Sequence, residues 1–83
     1  MATVPSPEES GRRILAIFAC DNLRAGEMMR WPALHSNFLN GGGRADDFEA
    51  GLRWLIRQRY AEVRTERWPP QEVFLTKAGF DAA

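Results

Sequence analysis

The sequence predicts a small α+β domain in which three short helices precede a β-hairpin. Two patterns point to this. Three segments open on helix-start signals and then repeat their apolar residues at helical spacing. From Ala61 onward the repeat drops to two, and the prolines of Trp68-Pro69-Pro70-Gln71 divide the alternating stretch into halves. Length supplies a third constraint. The 83 residues make one domain, and a chain this short buries only about 60 to 65% of its unfolded surface. With 45% hydrophobic residues, one economical core is within reach.

Met1–Pro5 reads as a flexible tail, with the domain occupying 6–83. Ser6-Pro7-Glu8-Glu9 places a capping serine, a proline at the first helical position and a glutamate three residues after the cap. The first helix therefore starts at Ser6. Ile14, Ile17 and Phe18 form its core stripe, Arg12 and Arg13 stay outside, and Asp21-Asn22 mark the exit. A short strand fits around Glu27 to Met29. Pro32 opens a second helix of about two turns, with Leu34, Phe38 and Trp31 facing inward, which stops before Asn40-Gly41-Gly42-Gly43. Those glycines lead to the expectation of a turn longer and looser than the usual three or four residues.

Asp46-Asp47-Phe48-Glu49 resembles a second capping box, with Asp46 as N-cap and Glu49 as its reciprocal partner, and the helix it opens runs to about Gln58. At 100° per residue, Phe48, Leu52, Leu55 and Ile56 fall on one face, with Gly51 at its margin. Ala50, Arg53, Trp54 and Arg57 lie opposite, so the outward surface is basic and aromatic. After it, Ala61, Val63 and Thr65 alternate with Glu62, Arg64 and Glu66, and Val73 to Leu75 returns antiparallel, with the hairpin tip at the prolines.

Leu52-x-x-Leu55-Ile56-x-x-x-Tyr60-x-x-Val63 together with Phe74-Leu75-Thr76-Lys77-Ala78-Gly79, set in the order helix, strand, helix, helix and hairpin, resembles the winged helix-turn-helix superfamily of many bacterial transcription regulators. The resemblance spans Ser6 to Gly79. It implies that the third helix enters the major groove of duplex DNA while the wing reaches phosphates or the minor groove. By that resemblance Arg53, Arg57, Arg64 and Arg67 are DNA-contacting residues, joined by Arg44 just before the helix.

Charge qualifies this expectation. Eleven basic and eleven acidic residues cancel, so any polyanion must be met by a local patch rather than by the field of the whole chain. Ten of the basic residues are Arg and one is Lys77, which suits bidentate contacts but also follows from a GC-rich genome. The same outward face supports a second function. Trp54 between Arg53 and Arg57 is the composition of a protein-interface hot spot, and the acidic start of the third helix favours a protein partner. Trp68 at the tip either stacks on a base, enters a partner's pocket or folds back over its own core.

Other chemistry has little to draw on. His35 is the one histidine, expected to cap or line the second helix, and Cys20 is the one cysteine, expected to pack as a small apolar residue. Neither belongs to a nucleophile–base motif, so no enzyme, metal site or cofactor is expected. The triple glycine lacks the Gly-Lys-Ser/Thr that completes a phosphate-cradling loop. With no paired cysteines, no apolar run of membrane length and no signal-like start, the expected setting is the cytoplasm. The expected ligand is duplex DNA, bound by a regulator or accessory factor acting as a dimer or with a protein partner, and the alternative is a protein-interaction module.

Overall fold

A computed structural model describes residues 4–83, so Met1–Thr3 of the expected tail lie outside the described residues. The elements are α1 (Pro7–Cys20), β1 (Met28–Arg30), α2 (Trp31–Asn40), α3 (Ala45–Arg57), β2 (Ala61–Glu62), β3 (Glu72–Leu75) and α4 (Lys77–Ala82). Four helices thus accompany a three-stranded antiparallel sheet of order β1-β3-β2.

The start of α1 follows from its cap. Ser6 Oγ accepts from Glu9 N at 3.1 Å, and Ser6 N donates back to Glu9 Oε1 at 3.4 Å, satisfying donors that a helix end leaves free. Ile14, Leu15 and Phe18 are fully buried and Ile17 only partly. Cys20 is exposed rather than packed, because two residues along a helix turn it about 200° away from Phe18. Small residues bring α1 and α3 together: an added Cβ at Gly51 would lie 2.7 Å from Gly11 N. Phe48, Leu52 and Leu55 fill the core beneath this crossing, while Ile56 is half-buried.

Helix α2 runs from Trp31 through Asn40, ten residues and so nearly three turns where two are expected, with Leu34 and Phe38 inside and Trp31 half-buried. The turn after it does not match the expectation. It comprises Gly41–Arg44, because α3 starts at Ala45, and it is held tightly. Arg13 Nη2 donates to Gly41 O at 2.9 Å, and its guanidinium lies 4.9 Å from the Phe38 ring centroid. Gly42 takes a φ of +94°, a conformation that favours glycine, and Gly43 sits where any Cβ would strike the Phe38 ring. Gly43 thus serves close packing and Gly42 a backbone conformation, so the turn is not loose.

The expected capping box of α3 is also corrected. Arg44 is the N-cap and makes no side-chain cap bond; Asp46 lies inside the first turn, and Glu49 turns to Arg53 instead. Asp46 and Asp47 still place negative charge at the positive end of the helix dipole.

Strand β3 is central, pairing Met29 with Val73 on one side and Ala61 with Leu75 on the other. Met29, Ala61, Val73 and Leu75 face the core, while Arg30, Glu62, Glu72 and Phe74 face away. The hairpin is shorter than the alternation suggests, since only Ala61 and Glu62 pair and residues 63–71 form a loop. Continuing the register would set Pro70 opposite Glu66, and proline has no N–H to donate, so the ladder could reach no further than Thr65 in any case. The chain does not end on the strand either. Thr76 Oγ1 accepts from Gly79 N at 3.0 Å and starts α4, a fourth helix absent from the expected plan.

Candidate nucleic-acid interface

The outward side of α3 carries Asp46, Glu49, Arg53 and Arg57, all exposed. Its amino-terminal half is therefore acidic and its carboxyl-terminal half basic. Arg53 is tied twice: its Nη2 donates to Glu49 Oε1 at 3.1 Å, and its guanidinium carbon lies 4.1 Å from the centroid of the Trp68 ring. That stack brings the loop of residues 63–71 against α3. Trp68 thus folds back onto the helix and remains 37% exposed, while Pro70 of the same turn is fully buried.

Within the loop, the Arg64 guanidinium carbon lies 3.9 Å from the Phe74 ring centroid, and Arg67 N donates to Thr65 Oγ1 at 3.1 Å. Arg64, Thr65, Arg67, Pro69, Gln71 and Glu72 line a solvent-open cleft of about 360 Å³ whose wall includes Phe74. The two ion pairs among the described residues are Arg12–Glu8 and Arg53–Glu49, so Arg44, Arg57, Arg64 and Arg67 are not engaged by a carboxylate at ion-pair distance. Guanidiniums in this state are the ones able to neutralise an incoming anion without first breaking a bond.

The sequence-predicted residues divide. Arg64 and Arg67 line one cleft, Arg53 meets Trp68 of the same loop, and Arg57 follows Arg53 one turn along α3. Arg44 stands apart, because thirteen residues of helix separate it from Arg57 by about 20 Å. Trp54 is a correction: it is half-buried and not an outward anchor. Its ring packs where α1 passes Gly11, meets Tyr60 edge-on at 5.7 Å and lies below Arg12 at 5.7 Å. The close α1–α3 crossing covers a position that the helix phase alone assigns to solvent.

Phe74 and Gln71 join the site without being expected there. A signal for Phe74 is present, since Val73 and Leu75 facing inward force the residue between them outward beside Arg64. Gln71 has no such signal, because the loop that positions it is irregular. His35 lines α2 as expected, stacked on Trp31 at 4.4 Å and edge-on to Phe48 at 5.0 Å.

Among the described residues, no cluster of three or more His, Cys, Asp or Glu is placed to hold a metal ion, and no helix is long and apolar enough to cross a membrane. Compared with protein-family models, curated proteins and solved structures, the chain finds no match in any of the three.

Proposed function

We propose that this chain is a small cytoplasmic winged-helix protein that binds double-stranded DNA through the carboxyl-terminal half of α3 and the β2–β3 loop, as a transcriptional regulator or accessory factor. The observation that carries the reading is the Arg53–Trp68 stack, which holds the loop that bears Arg64 and Arg67 against the helix that bears Arg53 and Arg57. The order α1-β1-α2-α3-β2-β3, with β3 between β1 and β2, is the arrangement a winged helix requires and supports the same reading. Arg57, Arg64 and Arg67 meet phosphate by charge. A second copy or a partner protein extends the contact, because a module of this size rarely reaches specific affinity alone.

Titrating a labelled duplex at about 50 and 200 mM salt tests this, since nonspecific affinity near 10⁻⁴ to 10⁻⁶ M is expected even at the higher salt. Arg57→Ala should weaken binding and reduce the salt slope by about 0.9, the value for one phosphate no longer neutralised. Absence of binding at the lower salt would end the DNA reading.

One observation favours a protein partner instead: Asp46 and Glu49 are exposed on the face that would approach phosphate. With Trp54 packed inside, the aromatic anchor of that alternative is Trp68. In that case Trp68→Ala would cost a partner complex about 2 kcal/mol or more, while DNA affinity stayed absent.

A further inference from the structure

We infer that the cleft of the β2–β3 loop is a site for an unpaired nucleotide, so that the preferred ligand is a duplex carrying a short single-stranded tail. The inference rests on the DNA reading above and names the form of DNA that this surface suits. Two arginine–aromatic stacks stand on the loop. Arg64 lies 3.9 Å from the Phe74 centroid at the cleft wall, while Arg53 lies 4.1 Å from that of Trp68, which stands outside the cleft and fixes the loop against α3. A guanidinium already held over a ring has lost part of its rotational freedom, and a planar nucleobase stacks on a guanidinium plane much as it does on an aromatic face.

The rest of the lining fits the rest of a nucleotide. Arg67 meets the phosphate, and Thr65 Oγ1 already accepts from the Arg67 backbone N–H at 3.1 Å, which ties down the segment that carries that guanidinium. Gln71 offers a base edge both a donor and an acceptor, and Glu72 offers an acceptor for an exocyclic amine. At about 360 Å³ the cleft has room for a base with its sugar.

The charge of α3 points the same way. Asp46 and Glu49 oppose deep entry of the amino-terminal half of the helix into a groove, whereas the unpaired guanidiniums Arg64 and Arg67 lie in the loop. A ligand whose duplex part sits by Arg57 and whose free end turns into the cleft meets Arg64 and Arg67 and stays clear of Asp46 and Glu49.

The test compares three labelled DNAs by fluorescence anisotropy on the intact chain: a blunt duplex, the same duplex with a tail of about five nucleotides, and the tail strand alone. The tailed duplex should bind at least about fivefold tighter than the blunt one, the least that stacking one base usually contributes. Arg64→Ala should erase that advantage, and Arg64→Lys should also remove most of it, since an ammonium keeps the charge without the plane. Circular dichroism on each variant separates a binding defect from a folding defect. Equal affinity for blunt and tailed duplexes, or a full advantage retained by Arg64→Lys, overturns the inference and leaves the duplex reading standing. Binding to none of the three overturns both.

Discussion

Gly51→Ala would ordinarily stabilise a helix, because alanine is favoured over glycine in a helix interior by about 0.8 to 1.0 kcal/mol. Here the sign should reverse. The added methyl would lie 2.7 Å from Gly11 N and from the Ser10 carbonyl carbon, and 2.8 Å from Ser10 Cβ. Two of these atoms are backbone and cannot rotate aside, so α1 must shift away from α3 along its length. Overpacking costs about 1 to 3 kcal/mol, and approaches this short belong near the top of that range. Subtracting the helical gain leaves a net loss of about 2 kcal/mol. For a domain of this size each kilocalorie moves the midpoint by about 4 to 8 °C, so Tm should fall by about 8 to 16 °C. Thermal unfolding followed by circular dichroism, with a urea titration to confirm an unchanged m-value, measures the effect. An unchanged or raised Tm would show that the two helices do not approach backbone to backbone at Gly51, and the burial of Trp54 would have no explanation.

Trp54→Ala should lower stability by about 2 to 3 kcal/mol, less than the 3 to 5 typical of a fully buried Trp, and should leave DNA affinity unchanged at temperatures where the variant is folded; a binding defect without a stability defect would return Trp54 to the surface. Thr76→Ala should cost about 0.5 to 2 kcal/mol and speed amide exchange at Gly79, whose N–H loses its acceptor, whereas unchanged exchange would mean that Thr76 does not cap α4.

Features written in neighbouring residues are legible in the sequence, and features that depend on a distant partner are not. The Ser6-Pro7-Glu9 signal identifies the start of α1 because every group in it lies within one turn. β1 falls one residue from its expected place, and α2 ends where Asn40-Gly41 indicate. The start of α3 misleads because Asp46 and Glu49 match a capping pattern, yet Arg44 already has the extended backbone of an N-cap two residues earlier. α4 gives no periodic signal in its six residues, although Thr76 precedes Gly79 at capping distance. Of the site, the arginines and Trp68 are legible as types in a loop and on a face. Their grouping is not, because it depends on where the loop between unequal strands comes to rest. Trp54 shows the same limit: its exposure is decided by Gly11, which lies 43 positions away.

The glycine turn between α2 and α3 has a thermodynamic consequence for whatever this protein meets. Arg13 reaches across from α1 to hold the Gly41 carbonyl, and the Phe38 ring occupies the space beside Gly43, so the three helices are locked as one body before any encounter. A partner that docks on α3 has no segment there to fold and incurs little ordering entropy at the helix. Such association should show a small heat-capacity change, because little apolar surface is newly buried by rearrangement. With a net charge of zero there is also little long-range attraction to hasten arrival. Differences in affinity among ligands of this surface should therefore appear in how long they stay rather than in how fast they come.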